Sequence, residues 1–290
     1  MHRIEDPSDL NYRELFQGLK HQLAVWSALE GCSSARLYVD DPGQARSACL
    51  VAGRRHFLAG EIRNSRFNTD LRALYFHELV PQSQSVGMGM LEWKTDSLAW
   101  ESVLKTFLKD QEIRRAERQY YRFRAHPLGR PAPLPDGFRL AFIDAAFIER
   151  ADLKNLDALK EEMVSERASL VDFLEKSFGV CALFEDEVAA FCTSEYNCGE
   201  RCEVGINTLP GYQRRGLATA LVGALIEHAL ELGIYQIGWH CFAGNLPSVR
   251  TALKSGFEKI SDYTTFWTGF GDYQSNTPSR SSSGTSNTLL

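Results

Sequence analysis

The sequence predicts a mixed α/β (α+β) protein in which a twisted, largely antiparallel sheet is flanked by helices and joined to a second, smaller α/β domain at the N-terminus. Three observations lead there. Strand-length apolar runs alternate with segments of helical periodicity through most of the 290 residues. Residues 180–184 and 188–194 read as two strands across a turn at Asp186, and a hairpin excludes an all-parallel sheet. Residues 125–137 carry four prolines and two glycines, a composition that suits neither a helix nor a central strand. That stretch reads as a stiff linker at 127–137, between an N-terminal domain (1–126) and a second domain (138–272). The Ser/Thr/Asn/Gly-rich residues 273–290 are expected to be a disordered tail.

The elements are expected in this order. Leu15, Leu19, Leu23 and Trp26 share one face and predict an opening helix. Strands are expected at 35–39, 48–52 and 57–59, with the turn Asp40-Asp41-Pro42-Gly43 between the first two. A helix is expected at 70–79, capped by Asp70, then a strand at 88–93, a helix at 97–108 and an alternating strand at 119–124. The second half reads as strand 138–143, helix 152–163, the hairpin, strand 202–209, helix 216–232, strand 235–241, helix 246–254 and a final strand region, 257–267.

Composition narrows the function classes. Hydrophobic residues make up 44% and charged residues 24%, enough apolar material for a sizeable core and unlike a disordered or fibrous chain. No apolar run approaches the length of a membrane span, and the opening Met1-His2-Arg3-Ile4-Glu5-Asp6 has no signal-peptide core. The net charge of -5 argues against nucleic acid or an anionic membrane as partner. Seven cysteines, an odd number, suggest a cytoplasmic protein with reduced thiols. Cys192, Cys198 and Cys202 match no ordinary zinc spacing, so no metal site is expected.

The most informative segment runs from Thr208 to Thr219. A strand ends, Pro210 and Gly211 turn the chain, and a Gly-containing loop enters a helix. The first N–H groups of a helix lack intrahelical acceptors and carry the positive end of its dipole, so they bind phosphate readily. Gly216 permits close approach of the backbone to an anion, small Ala218 avoids a clash, and Arg214 and Arg215 add charge. An ordinary strand–turn–helix joint with solvated arginines would look similar.

Gln213-Arg214-Arg215-Gly216-Leu217-Ala218 resembles the Q/R-x-x-G-x-G/A signature of the GNAT N-acetyltransferases. Asn245-Leu246-Pro247-Ser248 and the later Gly256-Phe257 resemble the next motif of that superfamily, and the likeness covers roughly residues 138–267. Together with Glu203–Thr208 and Trp239-His240-Cys241, these segments resemble two-domain bacterial acetyltransferases similar to the zwittermicin A resistance enzyme. The resemblance implies that the N–H groups from Gln213 through Arg214, Arg215, Gly216 and Leu217 to Ala218 hold the pyrophosphate of acetyl-CoA, with Thr219 nearby. It implies that the strand edge from Ile206 to Thr208 pairs with the pantetheine arm. It places Asn245 and Ser248 near the pantetheine or thioester. No metal is implied.

The implied reaction is attack of a primary amine, of a small molecule, on the acetyl thioester. Such an amine has a pKa of about 10.4 and must lose a proton. The catalytic candidates are Glu203, on the strand leading to the motif, and His240, on the partner strand. Each has a bland alternative: Glu203 as a surface carboxylate paired with Arg201, and His240 as an outward-facing strand histidine. Many relatives place a tyrosine, as the acid for the thiolate, where this chain has Ala252, so either Tyr263 or Tyr212 substitutes, or solvent does the work, or the thiolate leaves unprotonated. The N-terminal half has no equivalent of the cofactor signature and reads either as a degenerate GNAT-like half that has lost the cofactor loop or as an independent α/β module; in both cases it would shape the acceptor pocket. Arg114, Arg115, Arg118, Arg122 and Arg124 either recognise an acidic acceptor or form a solvated face, the commoner outcome. Other classes consistent with the sequence are a non-catalytic acyl-CoA-binding sensor and a protein-modifying acetyltransferase.

Overall fold

In the computed structural model, residues 1–8, 12–107, 113–125, 130–165 and 167–269 are described. The expected tail at 273–290 and the start of the linker lie outside them. The N-terminal strands are β1 (His2–Ile4), β2 (Arg36–Val39), β3 (Ser47–Ala52), β4 (Arg55–Gly60), β5 (Met90–Thr95) and β6 (Ile113–Phe123). The C-terminal strands are β7 (Phe138–Phe142), β8 (Gly179–Phe184), β9 (Glu187–Cys198), β10 (Arg201–Thr208), β11 (Gln236–Phe242) and β12 (Phe257–Gly269). The helices are α1 (Leu23–Leu29), α2 (Ser65–Leu74), α3 (Val80–Ser85), α4 (Trp100–Phe107), α5 (Ala145–Ile148), α6 (Leu156–Met163), α7 (Leu170–Lys176), α8 (Leu217–Glu231) and α9 (Leu246–Lys254).

All twelve strands form one sheet in the order β1-β2-β3-β4-β5-β12-β6-β11-β10-β9-β8-β7. The pairings are antiparallel except β4 with β5 and β10 with β11. The order shows an exchange. β6, from before the proline-rich stretch, lies between β11 and β12, while β12, from the end of the described chain, pairs with β5. The halves therefore share their central strands. Residues 130–135 run along α8: a Cβ on Gly223 would strike Pro131, and Leu134 packs into the core beneath.

Four apolar clusters hold the layers. α8 is buried along most of its length because Leu217, Leu221, Val222, Leu225 and Ile226 all meet the strands β8–β11. Each such side chain is worth about 1.5–3 kcal/mol of burial, which anchors the helix start rigidly. Helices α5–α7 pack with Cys181, Leu183, Val188 and Phe191. In the other half α2 and α4 cover Leu58, Leu91 and Trp93, and α1 covers Leu37, Leu50 and Phe57 together with Tyr196 of β9.

Several expectations change. The opening segment is not one helix: a 3₁₀ turn at Gln17–Leu19 gives way to extended backbone at Gln22 before α1 starts. Gly18 packs so closely on Asp96 that a Cβ would lie 2.8 Å from the Asp96 Cβ, which fixes the chain where a regular helix would have continued. Asp70 is not a cap. Asn64 starts the helix by accepting from Phe67 N–H, and the helical path continues through a wider turn at Tyr75–Leu79 into α3. The thiols are not all reduced, because Cys32 and Cys198 form a disulfide across 166 residues; Cys49, Cys181, Cys192, Cys202 and Cys241 are free and buried. Spacing in sequence could not reveal a bridge between chain segments so far apart. Among the described residues no helix is long and apolar enough to cross a membrane.

Candidate active site

β10 and β11 pair for only three residues, Arg201↔Gln236, Cys202↔Ile237 and Glu203↔Gly238. Beyond that point they part. β10 continues beside β9 as far as Thr208↔Ala190, and β11 beside β6 as far as Phe242↔Arg118. The facing edges, Val204–Thr208 and Trp239–Phe242, are left without strand partners on the slot side, and unpaired backbone groups seek new partners. An extended amide-bearing chain fits there as an inserted strand.

Side chains alternate along a strand. Cys202 and Val204 join the core under α8. Glu203 therefore faces the opposite side, where α1 lies. It is 3% exposed. Its Oε1 accepts from Leu23 N–H at 2.8 Å and stands 3.2 Å from His240 Nε2. The Tyr263 hydroxyl lies 2.8 Å from His240 Nδ1, and the Tyr120 ring stacks on the imidazole at 4.7 Å. Gly238 makes this possible: a Cβ there would come within 3.2 Å of both Tyr120 and Glu203. The break before α1 has the same role, since it leaves the Leu23 N–H outside the helix ladder and aimed at the carboxylate.

Charge follows from burial. Burial alone would raise the Glu203 pKa, but His240, Arg55 and the Leu23 N–H outweigh it and hold the carboxyl down at about 2. Burial lowers His240, so the imidazole is neutral at pH 7. An ionised Glu203 beside a neutral His240 assigns the proton to Nε2, and Nδ1 then accepts from the Tyr263 hydroxyl. Burial pushes that hydroxyl up to about 12. The three groups form one hydrogen-bonded chain, Tyr263–His240–Glu203, at the point where the strands separate. His21, whose pKa burial lowers to about 4, packs its ring 4.7 Å from that of Tyr263.

The other end of β10 leads to the expected anion loop. Gly216 sits at φ 88°, the left-handed region that favours glycine, and forms the N-cap of α8. The first helical bond of α8 runs from Ala220 N–H to Gly216 O, which leaves the N–H groups of Leu217, Ala218 and Thr219 without intrahelical acceptors. Gln213, Arg214 and Arg215 are exposed around them. Gln213 donates to Thr208 O, and Arg215 donates to Gly211 O while its guanidinium lies 5.6 Å from the Tyr212 ring centre. A cavity of about 620 Å³ borders the loop at Leu209, Gly211, Tyr212 and Arg215.

The expected site residues thus fall into two groups joined by β10. Glu203 and His240 touch each other, and neither bland alternative holds. Arg201 pairs with Glu30, and His240 is buried. Ile206 and Thr208 line the unpaired edge. Asn245 caps α9 through Ser248 N–H, and Ser248 Oγ takes the Trp239 indole N–H, so both fix the end of β11. Tyr212 is occupied by Glu187 at 2.5 Å, which leaves Tyr263 as the tyrosine in the chain. Arg118 departs from the solvated-face reading: it is buried against Glu92. Leu23, Tyr120 and Gly238 were not legible as site residues, since an amide, a core-like aromatic and a mid-strand glycine carry no chemical signature. Among the described residues no group of three or more His, Cys, Asp or Glu side chains is placed to hold a metal.

The site is thus a mixed sheet whose parallel central strands part above a buried acid–imidazole–phenol chain, beside a glycine-entered helix start open to an anion. The family model for GNAT acetyltransferase matches residues 13–266. The chain is 30% identical over 246 residues to the uncharacterized N-acetyltransferase YdfB of Bacillus subtilis, covering 84% of this chain and 90% of that one. It is similar in structure to a GCN5-related N-acetyltransferase-like protein from Streptococcus suis, with TM-score 0.68 and 22% identity over 91% of this chain and all of that one. It also shares its fold with a tandem GNAT protein from the clavulanic acid biosynthesis pathway, with TM-score 0.50 and 12% identity over 84% and 86% of the two chains. The protein belongs to the GNAT acetyltransferase family and is an acyltransferase.

Proposed function

We propose that the protein transfers the acetyl group of acetyl-CoA to the amine of a small molecule. The observation that carries this reading is the Tyr263–His240–Glu203 chain at the point where β10 and β11 separate. The pyrophosphate is assigned to the N–H groups between Gln213 and Thr219, with Arg214 and Arg215 adding charge. Pantetheine is assigned to the free edge at Ile206 and Thr208. Asn245 and Ser248 act by holding the end of β11. The N-terminal half, divided from the catalytic half at the proline-rich stretch, supplies α1 and closes the acceptor side.

A carboxylate held at about 2 is a feeble base by itself for an amine near 10. The chain resolves this. Glu203 orients a neutral His240 and stabilises the imidazolium as it forms, in the manner of an acid–imidazole couple. Both hydrogen bonds to Glu203 fall on Oε1, which leaves its second oxygen for a water or the incoming amine. With Nε2 already protonated and Nδ1 accepting from Tyr263, the imidazole takes a proton only at Nδ1. Tyr263 passes its proton there as its oxygen receives the amine's, and the imidazolium returns that proton through the same hydroxyl when the leaving thiolate is protonated, so the chain is unchanged over a turnover. A backbone N–H at Asn207 or Thr208 serves the tetrahedral oxyanion.

The test is acetyl-CoA turnover against a library of small amines, followed by free-thiol release, with calorimetry for CoA. Binding with turnover supports the reading. Binding without turnover of any amine makes the protein an acyl-CoA-binding sensor, and absence of binding removes the cofactor assignment.

A further inference from the structure

Around the Tyr263–His240–Glu203 chain the interior is unusually polar. Glu92, Lys94 and Arg118 are buried, with Arg118 Nη1 at 3.1 Å and Lys94 Nζ at 2.7 Å from the two Glu92 oxygens. Arg118 lies opposite Tyr263 in the β6–β12 register and opposite Phe242 in the β6–β11 register, with its guanidinium 4.4 Å from the Phe242 ring centre. It therefore sits against the parted end of β11. The segment before α1 forms the facing wall: the His21 ring packs on Tyr263 and lies 6.3 Å from the His240 ring. Gln22 directly precedes the Leu23 N–H that holds Glu203.

The buried side-chain nitrogens without a hydrogen-bond partner among the described residues are Arg13 Nε, His21 Nε2, Gln22 Nε2 and Arg118 Nε. Three of these four belong to this one cluster. The side chains of Gln22 and Arg118 both turn donors towards the Tyr263 oxygen, which is the acceptor they share, but Gln22 Nε2 and Arg118 Nε do not meet it in full hydrogen-bonding geometry. Gln22 is 1% and Arg118 4% exposed, so bulk water does not satisfy them. Buried donors that lack a full hydrogen bond call for a further acceptor, an ordered water or a bound acceptor group. The unmet demand is one-sided. Gln22 Nε2 and Arg118 Nε can only donate, and His21 Nε2 joins them in one tautomer. The complementary group is therefore rich in acceptors and poor in donors. A carboxylate offers about four lone-pair sites and no proton, and the edge of a guanidinium that includes Nε matches its plane.

We propose that Gln22 and Arg118, with His21, bind the carboxylate of the acceptor, so that the substrate is a small amine that also carries a carboxylate, of the amino-acid class. This rests on the acetyl-transfer reading above. A carboxylate held between Gln22 and Arg118 leaves the amine of the same small molecule beside His240 and Glu203. Binding energy from a non-reacting group then positions the reacting one. Arg118 and Gln22 act as specificity-determining residues for the acceptor.

The experiment measures kcat and KM at saturating acetyl-CoA for free amino acids, their C-terminal amides and the corresponding decarboxylated amines. The expected result is that acids exceed their amides in kcat/KM by at least about tenfold, and that Gln22→Met and Arg118→Gln each reduce this ratio by about tenfold or more, chiefly through KM. Gln22→Met preserves side-chain length and guards against the case in which Arg118→Gln unfolds the protein by stranding Glu92 and Lys94. Amides or plain amines used as well as acids, or an unchanged ratio in Gln22→Met, overturns the proposal. If no amine is acetylated although CoA binds, the transfer reading fails separately. Ligand-detected NMR of glycine against glycinamide on the CoA-loaded protein then decides. Glycine-selective binding that Gln22→Met abolishes sustains the carboxylate site, and equal or absent binding refutes it.

Discussion

Among the described residues two strand pairs are parallel, β4–β5 in the N-terminal half and β10–β11 in the C-terminal half, and they end differently. Each is followed by a helix and flanked by an exchanged strand, and each carries a buried tryptophan on its second strand, Trp93 and Trp239. β10 and β11 part after Glu203↔Gly238. β4 and β5 stay paired from Arg55↔Glu92 to Leu58↔Thr95, and Asp96 then seals their ends: its N–H donates to Leu58 O and its carboxylate accepts from Gly60 N–H at 2.7 Å. The helix starts differ in the same sense. Asn64 fills the start of α2 with its own side chain, whereas Gly216 leaves the start of α8 open. One pair is closed by its own polar groups, and the other leaves those same kinds of backbone group without partners among the described residues. A shared frame does not confer a site. The site appears where strand and helix ends are left unsatisfied.

Four tests sharpen or break this contrast. The largest effect is expected where the halves are joined. Cys32→Ser removes a bridge that closes 166 residues and should cost roughly 2–5 kcal/mol of stability, read as a lower Tm and matched by reductant on the native protein. An unchanged Tm would mean that the interface holds without it. Glu203→Gln comes next. It should leave acetyl-CoA binding near the native value and lower the maximal rate roughly 10²-fold or more. The defect should shrink as pH rises, because the amine then arrives neutral; a loss that ignores pH would point to a structural carboxylate.

Gly216→Asp should weaken CoA binding at least tenfold, about 1.4 kcal/mol, because it places charge and a Cβ in the left-handed cradle. Unchanged affinity in a folded variant would detach the loop from the phosphate. The smallest effect belongs to the sealed half. Asn64→Ala should cost about 1 kcal/mol of stability for the lost cap and leave CoA affinity unaltered by calorimetry. A change in affinity would show that the two pairs are not independent. Isolated halves are poor material for these tests, since a fragment starting at Phe138 lacks β6, the strand on which β11 and β12 both close.

Acid pH should weaken the fold in an order set by the buried groups. His21 and His56 are lowered by burial to about 4, so between their usual 6.5 and that value only the unfolded chain takes up the proton, and stability declines as pH falls. Glu92 and Glu203, each held at about 2, add a second loss from about 4.5 downward.

The open helix start was legible in the sequence because its geometry is local. Six consecutive residues, Gln213 to Ala218, carry both the glycine that permits the left-handed backbone and the first N–H groups of α8. The hairpin, the α8 face and most strands were legible for the same reason, since periodicities of 2 and 3.6 are properties of short segments. The sequence also supplied Glu203 and His240 as candidates. Only the tertiary structure shows that the two are in contact. Leu23, Glu203, His240 and Tyr263 meet because α1 folds onto β10 and β12 crosses into the other half, and neither event leaves a mark at short range. The Cys32–Cys198 bridge, the burial of Arg118 and the orphaned donors of Gln22 and Arg118 are of the same kind. A side chain's partners and desolvation depend on segments far away in the chain, so they are fixed only when those segments pack together.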